Sequence, residues 1–295
     1  MKSRRPLPLS KALRWIGYSV LLVNGLSFLL LQGYFLWRDQ KKKFKHACIS
    51  TIVQTGPQKE ALKTDYLVQL LDLSKDRPKK IKDFDFKKAQ KKLLSSPVIK
   101  EAEIKTLDLG TLYIDYTVRT PIALLYDFEN RALDEERAVF PLIPFFSPKN
   151  LPELYLGISA SDIKGAILDG PKVELALKLL KLINEPFIKD QLSVRRIDLS
   201  KAFEKSYGRR EIVIQVEDEI ISKEGQRQVH YFLPQYLRLS TKNYPQELSN
   251  YLKLREELLK NEEGKLTLPA QDQTVVRLKC KIIDLRLEQL AFINE

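Results

Sequence analysis

Cysteine is scarce in this chain, with Cys48 and Cys280 alone among 295 residues. Two cysteines are too few for a disulfide scaffold, which excludes the class of small, stapled secreted domains. They could pair in an oxidising compartment if the fold brought their Cα atoms within about 7 Å. They could equally be two ordinary buried thiols, and the sequence leaves both alternatives open.

Residues that carry catalytic chemistry are also scarce. His46 and His230 are the two histidines, and no Cys/His group has the spacing of metal ligands. The chain has no Walker loop, no G-x-G-x-x-G and no G-x-S-x-G. Its one S-x-x-K, at residues 161–164, lacks a following K-T-G or S-D-N, and we interpret it as coincidence. The carboxylates of residues 134–136 are expected to be solvated in a turn. We therefore expect no enzyme, no metal site and no cofactor.

Charge is missing from the 23 residues that run from Trp15 to Trp37. A hydrophobic run of about 20 residues matches the hydrocarbon thickness of a bilayer, and aromatic rings favour its headgroup level. A buried core helix or a cleaved signal peptide would be shorter. The sequence therefore predicts a basic cytoplasmic tail over residues 1–14, a transmembrane helix over 15–37 and a basic juxtamembrane segment over 38–46.

The orientation of this span is nearly undetermined by its flanks. Five bases precede it and five follow it, with Asp39 as the only acid. Because Lys and Arg favour the cytoplasmic side, this count gives almost no preference. Long domains translocate largely regardless of charge, which favours a cytoplasmic N-terminus and a bulk outside the cytoplasm.

The net charge of +12 belongs mostly to these flanks, because residues 1–45 hold ten bases and one acid. The remaining 250 residues carry only +3, and no RNA-recognition or helix-turn-helix pattern accompanies them, so we expect no nucleic-acid partner. Residues 75–92 form one further basic run, with nine bases and three acids. It is either a solvated face or a surface that docks on acidic membrane lipid or an acidic partner.

The hydrophobic periodicity of residues 47–119 indicates a small α+β domain. Short strands are predicted over 49–53, 98–105 and 112–118, and helices over 64–71 and 87–94. Their order is strand, helix, helix, strand, strand, which is typical of a small sheet with both helices on one face.

Residues 120–295 are predicted to form a β-rich domain with two helices, one over 172–183 and one opening at Pro245. Strands are predicted over 122–128, 137–140, 211–216, 229–233, 236–239, 275–285 and 287–293. A strand at the end of a chain is often a sheet edge, and exposed edges invite pairing with another chain. The fold class is therefore α+β, with one N-terminal transmembrane helix.

This arrangement resembles the FtsQ/DivIB cell-division family, and four stretches carry the resemblance. Residues 95–125 are similar to the second half of the family's POTRA domain. The matching positions are Pro97, Val98, Ala102, Ile104, Gly110, Thr111, Leu112, Ile114, Arg119, Pro121, Ile122 and Ala123. Residues 132–142 are similar to the family's hairpin that ends in Val-Phe-Pro, residues 151–157 to its Leu-Pro-then-Gly segment, and residues 283–286 to its terminal V-D-L-R.

The chain also departs from the family pattern. Val118 stands where many relatives have Glu, and Glu136 with Arg137 replaces the Asp-Gly turn of the hairpin. The stretch 218–235 is longer than usual. Leu287 stands where an aromatic residue often follows the arginine.

The resemblance implies a non-catalytic divisome scaffold in the bacterial inner membrane, at the division septum. Its POTRA domain, residues 47–119, would contact other divisome membrane proteins. Its C-terminal β domain, residues 120–295, would bind small single-span proteins of the FtsB/FtsL kind, which add a segment to the last strand. Carried over by position, the partner-binding candidates are Arg286, Leu287, Glu288, Leu290, Phe292 and, more loosely, Arg210. The alternative is a POTRA-containing component of a secretion or outer-membrane assembly system.

Overall fold

The computed structural model describes residues 9–56, 61–108, 110–164, 166–224, 227–264, 266, 274–288 and 290–294. They divide into two units. The first contains the described residues of Met1–Ser96 and Glu101–Thr117, and the second those of Pro97–Lys100 and Val118–Glu295. The fold is mixed α+β, with one N-terminal apolar helix and a large sheet.

Helix α1, Leu9–His46, is a single helix of 38 residues. Its stretch Leu13–Asp39 is long and apolar enough to cross a membrane, by length and composition. None of the most apolar part of this stretch is buried against the described residues of the chain. Leu21 and Leu29 expose 71% and 68% of their surface, which contradicts a buried core helix. The helix also continues past the predicted span, through the juxtamembrane residues 38–46.

The rest of the first unit follows the predicted order of strand, helix, helix, strand, strand. Its elements are β1 (Thr51–Thr55), α2 (Thr64–Leu70), α3 (Phe86–Leu94), β2 (Ile99–Asp108) and β3 (Thr111–Val118), with a 3₁₀ turn at Ile81–Asp83. The sheet order is β1-β3-β2, and β1 runs parallel to β3.

Sequence alternation explains the core of this unit. Leu112, Ile114 and Tyr116 of β3 are buried, while the intervening residues face outward or are half-buried. Leu67 of α2 and Leu93 of α3 are fully buried, so each helix contributes its apolar face to a core.

The second unit is built on a ten-stranded sheet. Its strands are β4 (Ala123–Leu125), β5 (Arg131–Leu133), β6 (Val139–Pro141), β7 (Glu153–Tyr155), β10 (Val194–Asp198), β11 (Ile212–Glu224), β12 (Arg227–Leu239), β13 (Val275–Arg277), β14 (Lys281–Asp284) and β15 (Phe292–Asn294). The order is β15-β14-β12-β11-β10-β7-β4-β5-β6, and β13 pairs with β12 beside β14. A separate two-stranded sheet joins β8 (Ile163–Lys164) to β9 (Ile167–Leu168).

Helices α4 (Pro171–Ile183), α5 (Pro186–Lys189) and α6 (Tyr244–Glu263) complete the second unit. The predicted helix over 172–183 is confirmed, with Pro171 at a start position. Buried residues of α4 and α6 join Ile214, Leu237 and Ile283 of the sheet in one hydrophobic core. Alternate residues of the same strands point to the opposite face, where Tyr236 and Ile282 are exposed.

The predicted separate strands 211–216, 229–233 and 236–239 are wrong in extent. The structure instead has one long hairpin, in which β11 and β12 pair over 13 residues each. The stretch 218–235 that seemed an insertion is the distal half of this hairpin. Its own small core contains Ile220, Val229 and Tyr231.

Candidate partner-binding edge

The C-terminal strand β15 is one edge of the ten-stranded sheet. It pairs antiparallel with β14 in the register Ile282↔Asn294, Ile283↔Ile293 and Asp284↔Phe292. The N–H of Leu285 donates to the carbonyl of Arg238 on β12 at 3.0 Å, an ordinary hydrogen-bond length. Because backbone groups point to opposite sides at successive residues, Ile282 and Asp284 of β14 direct their N–H and C=O groups to β15.

This register fixes which backbone groups of β15 are open. Phe292 and Asn294 lie opposite Asp284 and Ile282, so their N–H and C=O groups face β14. The N–H and C=O of Ile293 face the other way, toward the open edge. One donor and one acceptor at Ile293 are thus directed at whatever chain would pair next.

The predicted strand over residues 287–293 is wrong in its bounds. The structure places Leu287 and Glu288 in a turn, with the Leu290 N–H donating to the Leu287 carbonyl at 3.3 Å. An antiparallel return onto β14 requires such a turn, because β14 ends at Asp284. Of the predicted candidates, only Phe292 lies in the edge strand.

The apolar candidates beside this edge are nevertheless exposed. Leu287, Leu290 and Phe292 leave 60%, 67% and 66% of their surface accessible. Tyr236 and Ile282, which are neighbours across β12 and β14, are also exposed, on the outer face of the sheet. We call Tyr236, Ile282, Leu287, Leu290 and Phe292 the edge patch. Sequence reasoning missed Tyr236 and Ile282, although the alternation in residues 281–285 points Ile282 away from the core.

Arg286 is held within its own chain. Its Nε and Nη2 donate to the two carboxylate oxygens of Asp284 at 2.9 and 2.7 Å, and its Nη1 donates to the Gly208 carbonyl at 3.3 Å. Arg238 Nη1 lies 3.1 Å from the same carboxylate, and Arg238 also pairs with Glu211 at 2.6 Å. Arg286 is therefore a fixed part of an ion network that joins β14, β12 and the segment before β11.

This network determines the ionisation of Asp284. Burial opposes its charge, but hydrogen bonds from the Arg286 side chain and backbone N–H, together with the charges of Arg286 and Arg238, hold the pKa of Asp284 below its ordinary value. Asp284 therefore stays a carboxylate and keeps Arg286 oriented at neutral pH.

Arg210 occupies the segment that Arg286 reaches. Its Nε donates to the Glu204 carbonyl at 2.5 Å, and its guanidinium lies 4.3 Å from the ring centroid of Tyr207. Tyr207 exposes 74% of its surface. The structure thus brings Arg210 and Arg286 to one segment, residues 207–210, while Glu288 and Leu290 lie in the turn before β15.

The groups considered for chemistry serve structural contacts. Asp134 was expected to be solvated, but it is buried, accepting from Arg119 Nη1 and the Ala138 N–H at 2.7 Å each. Ser161 of the S-x-x-K motif shares a 2.6 Å hydrogen bond with Ser159. No disulfide joins Cys48 and Cys280. Within the described ranges, no group of three or more His, Cys, Asp or Glu side chains could hold a metal ion.

A cleft of about 380 Å³ lies between the segment before β10 and the base of the β11–β12 hairpin. Two ion pairs lie in its lining: Arg255 Nη2 lies 2.7 Å from Asp218, and Arg195 Nη2 lies 3.0 Å from Glu217. These four charges are already engaged within the chain, so the cleft is a weaker candidate for partner binding than the edge patch.

Comparison with protein-family models and with curated proteins found no match to this chain.

Proposed function

We propose that this chain is a non-catalytic connector of the bacterial division machinery, anchored in the inner membrane by α1. Its N-terminus would lie in the cytoplasm and both units outside it. The second unit would capture a short segment of a small single-span partner of the FtsB/FtsL kind. The observation that carries this proposal is the open edge of β15 beside an exposed apolar patch.

Pairing at this edge has a clear physical basis. A partner segment that adds as a further strand would satisfy the outward N–H and C=O of Ile293, and backbone pairing of this kind supplies affinity. The edge patch would supply additional apolar contact, since burying one large apolar side chain contributes about 1.5–3 kcal/mol. An exposed edge without a partner is an aggregation hazard, which favours a physiological occupant.

We propose further that the first unit after α1 is a POTRA domain that contacts other divisome membrane proteins. Its order of strand, helix, helix, strand, strand supports this assignment, as do the motif positions Gly110 and Leu112. Gly110 has a φ of +99°, and a Cβ there would lie 2.7 Å from the Cys48 carbonyl oxygen. The turn between β2 and β3 therefore requires glycine.

The strand-capture step is tested by co-purification of the full chain with an FtsB-like partner. Ile293→Pro removes the outward donor without removing a β14–β15 hydrogen bond, and proline is tolerated at edges. Ile293→Ala is the matched control, because it removes the same side chain but keeps the N–H. We expect Pro to lose the partner and Ala to retain most of it. Equal capture by both variants would overturn pairing at this edge.

Arg286 requires a different test, because it is bonded to Asp284. Arg286→Glu would place a third carboxylate beside Asp284 and Glu211, so its effect on partner capture would include a disturbed edge. Leu287→Ser and Leu290→Ser change exposed side chains only. If the edge patch contacts the partner, both weaken capture while the melting temperature of the chain stays unchanged.

The division role is tested separately by fluorescent-fusion localisation. A midcell band is expected for a divisome connector. A uniform membrane signal would contradict the division role and leave the membrane anchor intact.

A further inference from the structure

Helix α1 leads directly into the rest of the first unit. Helix α1 continues from Trp37, the last aromatic residue of the uncharged run, to His46, and Ala47 follows directly. Ten residues of helix rise about 15 Å. The headgroup layer occupies roughly the first 5–7 Å beyond the hydrocarbon core. Ala47 is therefore held within about 10 Å of the headgroups of the leaflet where α1 ends.

The basic segment of residues 75–82 is fixed to this same point by backbone hydrogen bonds. The Ile49 N–H donates to the Lys79 carbonyl at 2.8 Å, and the Ile81 N–H donates to the Ala47 carbonyl at 3.0 Å. Cys48 and Lys80 form an antiparallel β-bridge. The position of this segment beside the end of α1 thus does not depend on side-chain contacts.

The segment carries an excess of exposed positive charge. Residues 75–82 contain five bases and one acid. All five basic residues, Lys75, Arg77, Lys79, Lys80 and Lys82, are exposed. Over the part of the chain that the structure describes, these five residues form one salt bridge, Lys82–Asp83 at 4.0 Å, and both of its side chains are exposed. The charge is therefore available to an external anion.

We propose that Lys75, Arg77, Lys79, Lys80 and Lys82 bind the anionic phospholipid headgroups of the leaflet where α1 ends. A bilayer is the one acidic surface whose distance from this segment is fixed by α1 itself. The segment lies near enough for attraction, because the Debye length is about 8 Å at physiological salt and a lysine stem reaches part of the remaining distance. Each basic residue near an anionic surface strengthens association about fivefold. The proposal rests on the membrane anchoring proposed above and not on the division role.

The test reconstitutes the full chain in nanodiscs of phosphatidylcholine, with or without about a third of phosphatidylglycerol. A fluorophore on Ser74→Cys, in a Cys48→Ser and Cys280→Ser background, reports contact through a quencher on the lipid headgroups. The test variant combines Arg77→Gln, Lys79→Gln and Lys80→Gln. The matched control combines Lys181→Gln, Lys253→Gln and Lys260→Gln, which removes the same charge from exposed positions of the second unit.

We expect stronger quenching in the anionic discs than in the neutral ones, and we expect this difference to disappear in 0.5 M NaCl. Added inorganic phosphate should leave the quenching unchanged, which distinguishes binding to lipid headgroups from binding to free phosphate. Three neutralised residues should weaken headgroup association about a hundredfold. The test variant should therefore be quenched equally in both kinds of disc, and the control variant should behave like the native chain.

Equal quenching of the native chain in both kinds of disc would overturn the proposal, as would a test variant that behaves like the native chain. Binding only to an acidic protein, with no lipid dependence, would also overturn it. Failure of the chain to co-elute with lipid would refute the membrane anchor instead.

Discussion

Arg119 and Asp134 form an ion pair whose acidic member is almost fully buried. The side chain of Asp134 is 7% exposed and that of Arg119 is 21% exposed, and their oxygen and nitrogen atoms lie 2.7 Å apart. Asp134 also accepts from the Ala138 N–H, which closes the hairpin turn after β5. Arg119 therefore fixes the carboxylate on which this turn depends.

Arg119→Ala should lower the free energy of unfolding by about 2 kcal/mol, because it leaves a buried carboxylate without its cation. Urea unfolding of the detergent-solubilised chain at pH 7 measures the change. Arg137→Ala is the control in the same hairpin. Its ion pair with Asp169 is exposed on both sides, so its loss should cost less than about 1 kcal/mol. Equal effects of the two variants would contradict a special role for Asp134.

For Arg119, the sequence predicts that the position matters but not which residue it contacts. The motif marked Arg119 as a position of interest, but Asp134 was expected to be solvated because a run of three acidic residues usually is. Its burial depends on Arg119, 15 residues earlier in the chain. Arg137, which has a φ of +67°, supplies the left-handed turn position where the family pattern has glycine.

At the scale of an element, α4 was predictable and the β11–β12 hairpin was not. The predicted apolar stripe of α4 lies in the core because local helical periodicity determines it. Pro234 of β12 lies between the two strands that were predicted over 229–233 and 236–239. Glu217 lies opposite Pro234, and its N–H donates to the Ser193 carbonyl beside β10, not to β12. The backbone nitrogen of Pro234, which carries no hydrogen, therefore faces away from β11. There β13 and β14 are interrupted, at residues 278–280, and the strand tolerates the proline.

The base of this hairpin is joined to α6 by a buried polar cluster. Tyr251 of α6 donates to Gln235 Oε1 at 2.9 Å, and Gln235 Nε2 donates to Asp218 at 3.0 Å. Arg255 Nε donates to the same carboxylate at 2.9 Å. Burial and the nearby charge of Asp218 raise the pKa of Tyr251 far above its ordinary value.

Tyr251→Phe should lower the free energy of unfolding at pH 7 by about 1–2 kcal/mol, because Gln235 loses a buried partner. The native chain should also lose stability above about pH 10, where the unfolded state releases the tyrosine proton and the folded state retains it. Tyr251→Phe should reduce this alkaline loss. Urea unfolding followed by far-UV circular dichroism at pH 7.5 and 10.5 measures both effects, and Tyr236→Phe, at an exposed position, should change neither. An unaltered alkaline slope in Tyr251→Phe would disprove the assignment.

For the whole molecule, the distribution of charge is more informative than its sum. The excess of bases on both sides of the uncharged run was evident from the sequence. The placement of residues 75–82 beside the end of α1 was not, because it depends on long-range backbone hydrogen bonds to residues 47 and 49. The basic segment of residues 75–82 is thus held by its backbone beside residues 47–49, which lie about 30 residues earlier in the chain.

The nearly equal numbers of basic residues on the two sides of the uncharged run also make the orientation of the chain sensitive to changes in either flank. With five bases on each side and Asp39 on the second, the charge count favours the proposed cytoplasmic N-terminus only slightly. A C-terminal alkaline phosphatase fusion, active only outside the cytoplasm, should be active on the native chain. Neutralising Lys2, Arg4 and Arg5 should reduce that activity by creating a mixed population. Neutralising three bases on the other side, Lys41, Lys42 and Lys43, should leave it at or above the native level. Undiminished activity in the first variant would mean that translocation of the large C-terminal part, and not the local charge count, sets the orientation.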